Sequence, residues 1–126
     1  MRSHFTGLIV EDEWLLRMEL SEELRNAGWS VLEVATGEAA LTLLDRQPRL
    51  DFLVTDIRLP GQVDGWAVAD RFRARWPQGA VIYVSANPEL ASRRVAGSRF
   101  IGKPCEMKLL LQTCEELVLA GGAPTV

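Results

Sequence analysis

Short apolar runs and longer mixed segments alternate along this chain. Residues 6–10 (TGLIV) form a continuous apolar run, the pattern of a strand covered on both faces. Residues 14–27 then carry Trp14, Leu15, Met18 and Leu24 among Glu19, Glu22, Glu23 and Arg25, a helical spacing that Gly28 stops. Residues 30–35 (SVLEVA) predict a second strand, and residues 38–46 a helix with Ala39, Ala40, Leu43 and Leu44 inward, ending near Pro48. A third strand at 52–55 (FLVT) stops at Asp56, and Pro60 and Gly61 make 57–64 a loop. A helix at 66–76 is closed by Pro77, and 80–84 (AVIYV) is the plainest strand of all. Pro88, at a first-turn position, opens a short helix to about Ala96; Arg99 to Ile101 make a brief fifth strand. The last helix runs from Cys105 to Ala120, before Gly121 and Gly122, and the ends of the chain, including His4, are expected to fray.

Strand and helix therefore alternate five times. Continuous apolar strands between amphipathic helices predict a doubly wound α/β fold with a five-stranded parallel sheet covered on both faces. The 126 residues suit one domain, 1–126, with its core at about 6–120. A chain of that size buries roughly two thirds of its unfolded surface and needs no metal or disulfide staple.

Charge and cysteine usage narrow the function classes. A formal charge of −3 argues against a domain that wraps nucleic acid, which carries a basic excess. No run reaches the roughly 18 apolar residues of a membrane span, and the N-terminus lacks signal-peptide anatomy. Cys105 and Cys114, if on one helix, stand about 13 Å apart by helical rise. That is too far for a disulfide, so both are expected as free thiols in a reducing cytoplasm.

In open parallel sheets, ligands bind beyond the carboxyl ends of the strands, so the residues that follow each strand carry the chemistry. After the first come Glu11, Asp12 and Glu13; after the third, Asp56; after the fourth, Ser85; after the fifth, Lys103 and Pro104. Two carboxylates 4 Å apart repel by about 4 kcal/mol at an effective dielectric of 20. A divalent cation or a shared proton relieves that repulsion. Oxygen donors without His or Cys favour Mg²⁺. Mg²⁺ beside one lysine and one hydroxyl is equipment for phosphoryl transfer, here onto or off a carboxylate.

VEDE at 10–13, TDIRLPG at 55–61, VSA at 84–86 and FIGKP at 100–104 together resemble a response-regulator receiver domain over about residues 6–120. The resemblance implies a flavodoxin-like (βα)5 fold and a phosphorelay switch that depends on Mg²⁺. Asp56 would accept a phosphoryl group from a sensor histidine kinase or a histidine phosphotransfer protein. Asp12 and Asp56 would bind Mg²⁺ directly, Glu11 through a water, and Arg58 through its backbone carbonyl. Lys103 and Ser85 would hold phosphoryl oxygens, with Ser85 and Phe100 as the switch pair read by a downstream protein target. Lys103-Pro104 would be a cis bond. Such a domain takes up and slowly loses its phosphoryl group without conventional turnover. With nothing after the last helix to bind DNA or catalyse, a stand-alone single-domain regulator or relay intermediate is expected.

Two departures stand out. Lys103 lies only eighteen positions after Ser85, so the helix between them is expected short or poorly formed; the loop at 60–65 is one residue longer than usual. Arg58 and Asn87 fall where the family tunes dephosphorylation. Blander readings stand beside these roles. Asp56 alone would be a cap, Lys103 alone a solvated lysine, and Phe100 either switch or core packing. Glu13 reads as a charge complementing the helix dipole. Arg93, Arg94 and Arg99 read as a solvated face, the four tryptophans as core or helix-capping bulk, and the cysteines as small hydrophobes. The competing functions are a phosphate-independent protein-docking module of the same fold, and an aspartyl phosphatase. Phosphatases of that kind place a second acid where Arg58 stands. A flavin domain would need an uncharged phosphate loop where Glu11-Asp12-Glu13 stands.

Overall fold

The computed structural model describes residues 4–86 and 92–122. In chain order it contains β1 (Thr6–Val10), α1 (Trp14–Asn26), β2 (Ser30–Val34), α2 (Gly37–Arg46), β3 (Phe52–Thr55), α3 (Gly65–Arg75), β4 (Ala80–Ser85), β5 (Arg99–Gly102) and α4 (Met107–Gly122). The five strands form one parallel sheet in the order β2-β1-β3-β4-β5, the doubly wound arrangement expected from the alternation. Strand side chains alternate between two apolar layers. Ile9, Val54 and Ile82 pack under α1 and α4 with Leu20, Leu24 and Leu110. Leu8, Val10 and Leu53 pack under α2 and α3 with Leu44, Val68 and Phe72. Each fully buried aliphatic or aromatic side chain there contributes about 1.5–3 kcal/mol.

Helix ends follow local chemistry. Thr36 and Asp64 cap α2 and α3, their side chains accepting from the amides of Ala39 and Ala67. Glu38 reaches across to accept from Gln62 N at 2.8 Å, and this bond first of all holds its carboxyl below the usual range. Gly61 turns that loop at φ +90°, a region a side chain would strain.

Five features differ from the sequence expectations. Four α-helices are found among the described residues, against five expected. Of the expected helix at 88–96, residues 88–91 lie outside the described residues, as does Asn87; Ser92 and Arg93 make a single 3-10 turn. Backbone groups that would feed a helical ladder bond elsewhere: Val95 N donates to the Tyr83 hydroxyl at 3.2 Å, and Val95 O accepts from Ser98 Oγ at 2.7 Å.

The buried face of α1 is Leu20, Ser21 and Leu24, while Trp14, Leu15 and Met18 are exposed. Those three share the solvent side of the helix, opposite Leu16, Leu20 and Leu24, which pack on the core. Ala39, in the first turn of α2, is exposed as well, while Gly37 and Ala40 of the same turn are buried. His4 is held rather than frayed, with Nδ1 3.0 Å from Gly28 O and Nε2 2.9 Å from Ser30 Oγ. Cys105 precedes α4 rather than lying in it; Cys114 is fully buried, and both are free thiols. Burial pushes the Cys105 thiol up to about 11 and raises Cys114 as well, so neither is a ready thiolate at neutral pH.

Candidate functional site

Strand register assembles the site. Val10 pairs with both Val34 and Thr55, so the residues after β1 and β3 emerge side by side where the strand order reverses. The ladder runs one residue further, with Glu11 N donating to Val34 O at 3.1 Å and Asp56 N to Val10 O at 3.0 Å. On the other side Ser85 pairs with Gly102, and Lys103 N donates to Ser85 O at 3.1 Å. The Lys103-Pro104 bond is cis, as the resemblance implied.

One ammonium meets three carboxylates. Lys103 Nζ lies 2.7 Å from Asp56 Oδ2, 3.1 Å from Glu11 Oε1 and 3.2 Å from Glu13 Oε2. Burial pulls the Lys103 pKa down, but the hydrogen bond to Asp56 and the charges of Asp56 and Glu11 outweigh it and hold the group above its ordinary value. Asp56 is mostly buried, and its Oδ1 accepts from Ile57 N at 2.7 Å. Both of its oxygens are thereby oriented by fixed donors.

Glu11 is 1% exposed. Its Oε2 accepts from Glu13 N at 3.0 Å, and its carbonyl accepts from Arg17 Nη1 at 2.8 Å. Oε1 makes no hydrogen bond, since Lys103 Nζ approaches it as an ion pair off the bonding direction. Burial above all, helped by the charge of Asp56, raises the Glu11 carboxyl above its usual range, against the Glu13 amide and Lys103.

Glu11, Asp12 and Asp56 each bring one oxygen to within 4.8 Å of the others. Carboxylates that close repel by about 3 kcal/mol per pair at an effective dielectric of 20. A single lysine does not neutralise three of them. The donor set is all oxygen, one member exposed, and one buried oxygen lacks a hydrogen bond: this fits a small hard cation such as Mg²⁺.

The floor of the site depends on Gly65. A Cβ built there would stand 2.0 Å from the Asp56 carbonyl oxygen, and Gly65 N donates to Ile57 O at 2.7 Å. Only a residue without a side chain lets α3 begin this close to the end of β3.

The predicted residues thus divide. Glu11, Asp12, Asp56 and Lys103 come together as one cluster. Ser85 is buried at the end of β4, tied to Lys103 through the backbone. Arg58 is exposed on the loop after β3. Phe100 is half-buried and stacks on Tyr83 at 4.9 Å, with Trp66 at 6.1 Å from it. Arg93 and Arg94 lie over the Trp66 and Phe100 rings at 5.8 and 5.9 Å, so they are not simply a solvated face.

Sequence reasoning missed two residues. Glu13 gives no side-chain cap to α1 and turns to Lys103 instead. Tyr83 is fully buried, with its hydroxyl accepting from Val95 N. A lone hydroxyl inside AVIYV was the available signal, since a buried phenol requires a partner.

The family model for the response regulator receiver domain matches residues 8–115. Among curated proteins, the chain is 34% identical over 109 residues to a cyclic di-GMP phosphodiesterase of Thermotoga maritima, covering 83% of this chain and 28% of that one. It is 31% identical over 108 residues to the response regulator protein FleR of Pseudomonas aeruginosa, covering 82% and 22%. It therefore spans less than a third of the length of either relative. Among solved structures, a response regulator receiver protein from Sinorhizobium medicae superposes with a TM-score of 0.89 at 32% identity, covering 94% of this chain and 97% of that one. The receiver domain of the hybrid histidine kinase CckA superposes with a TM-score of 0.78 at 29% identity, covering 90% and 98%. Motif order, strand register and these similarities agree: the chain belongs to the response regulator receiver domain family of two-component signalling.

Proposed function

We propose that this domain is a phosphoryl-accepting switch in which Asp56 takes a phosphoryl group from a phosphohistidine on a sensor kinase or phosphotransfer protein. The observation that carries the reading is the Lys103 ammonium 2.7 Å from Asp56 within the cluster of converging carboxylates. An Asp56 carboxylate oxygen attacks phosphorus, and a new C–O–P linkage forms. With the other ring nitrogen of the phosphohistidine already protonated, the P–N bond breaks, its electron pair stays on the ring nitrogen, and neutral imidazole leaves.

Asp12 and Asp56 through their side chains, Arg58 through its carbonyl and Glu11 through a water are the residues that would hold Mg²⁺. The ion, when bound, neutralises charge on the phosphoryl oxygens. Ile57 N orients the acceptor by holding Asp56 Oδ1. Lys103, released from Asp56 Oδ2, binds one phosphoryl oxygen, and the Ser85 hydroxyl donates to another. The modification adds about −1.5 to −2 charge at this edge. Ser85 moves toward it, and Phe100 follows inward along the ring cluster of Trp66 and Tyr83. A contact difference of a few kcal/mol between the two conformations suffices to shift their populations.

The partners on this reading are a histidine kinase or phosphotransfer protein and a downstream protein target. Two free thiols and no described helix able to cross a membrane suit a cytoplasmic setting. The test is intact mass after incubation with acetyl phosphate and Mg²⁺. One added phosphoryl group is expected on the wild type, none in the presence of EDTA and none on Asp56→Asn. Undiminished labelling of Asp56→Asn overturns the assignment.

A further inference from the structure

Glu13 is the exposed carboxylate of the three around Lys103. Its side chain is 62% accessible, against 10% for Asp56 and 1% for Glu11. It caps no amide of α1 and stands outside the trio of converging oxygens, so neither the helix nor the cation-binding cluster accounts for its direction. Its contact is Lys103, at 3.2 Å. We propose that Glu13 is a positioning residue that restrains Lys103 and holds a negative potential over the mouth of the pocket, disfavouring small anionic phosphodonors relative to a phosphohistidine presented on a protein.

This inference rests on Asp56 as the acceptor. Lys103 must give up carboxylate contacts to bind a phosphoryl oxygen, and Glu13 competes for the same ammonium. Glu11, Asp12, Glu13 and Asp56 leave three negative charges in excess of Lys103. A divalent cation reduces the excess to one, the amount that Glu13 supplies. Arg58, exposed on the loop after β3, softens the field for ligands from that side. Glu13 guards the side of α1. A protein donor offsets the repulsion through the rest of its docking surface; a free phosphate ester or anhydride has no such contacts.

The test compares wild type, Glu13→Gln and the charge-conserving Glu13→Asp, as full chains with saturating Mg²⁺. Labelling rates are read by intact mass with acetyl phosphate, a dianion at neutral pH, and with phosphoramidate, a monoanion. Glu13→Gln is expected to label about fivefold faster with acetyl phosphate at low salt and about twofold faster with phosphoramidate. Both gains should collapse at high salt, and Glu13→Asp should match the wild type. Equal or slower labelling of Glu13→Gln overturns the inference. So does a gain that ignores donor charge and salt, because a merely structural change would produce that. Absence of labelling in both proteins also overturns it, since Glu13 would then not be what excludes the small donor. Persistent labelling of Asp56→Asn defeats the acceptor reading separately, whatever Glu13 does.

Discussion

The two halves of the sheet's carboxyl edge are held in different ways. Beyond β1 and β3, ladder hydrogen bonds continue past the strands, Gly65 packs on the Asp56 backbone, and one ammonium is shared by Glu11, Glu13 and Asp56. Beyond β4, the connection to β5 is fastened by the Tyr83 hydroxyl, the Ser98 side chain and rings that stack at their edges. The first half is over-determined and electrostatic; among the described residues, the second is held by neutral hydrogen bonds and ring contacts. Chemistry that needs fixed geometry is placed in the first, and the contacts that can rearrange at small cost are in the second. That division is what a phosphorylation switch requires, because a change of charge at one half must alter packing at the other.

The largest expected effect comes from removing the shared cation. Lys103→Met leaves Glu11 and Asp56 buried without a counter-charge, and should cost about 3 kcal/mol in urea unfolding at neutral pH in EDTA. Part of that loss should return as pH falls and Glu11 takes up its proton. A neutral substitution there would show that the first half is not held electrostatically. Tyr83→Phe should cost about 1 kcal/mol by leaving Val95 N without its acceptor. It should also speed amide exchange at Val95 while leaving labelling of Asp56 unchanged. Slower labelling would break the separation of the two halves.

The smallest effect is a pH slope. Glu11 binds its proton more tightly folded than unfolded, so its ionisation destabilises the fold as pH rises from the ordinary carboxylate range through its raised value. Lys103 works in the opposite sense. Its contribution is complete below the ordinary lysine range and is lost only in strong alkali, so it leaves this window untouched. In EDTA, the stability difference between Glu11→Gln and wild type should therefore grow in favour of Glu11→Gln from acid to neutral pH. A constant difference would contradict the burial-driven shift.

The strands were legible because each is a short apolar run closed by a turn or a charge, and the four chemical positions because each follows such a run. What stayed hidden depends on where elements end in space. Trp14, Leu15 and Met18 have helical spacing, but that spacing does not reveal that their side of α1 faces solvent while Leu16, Leu20 and Leu24 face the core. Glu13 has the composition of a helix-dipole charge, and its partner lies ninety positions away. The Val95 amide bonds the Tyr83 hydroxyl, a tertiary contact that local propensity does not encode. Local rules located the site; long-range partners decide how it is held.

The most direct measurement is borohydride reduction of the labelled protein followed by peptide mass mapping. Reduction of an aspartyl phosphate leaves homoserine at the modified position. The account predicts homoserine at Asp56 and an intact carboxylate at Asp12 and Glu11. Homoserine at Asp12, or a stable phosphoryl adduct that leaves Asp56 unreduced, would contradict it.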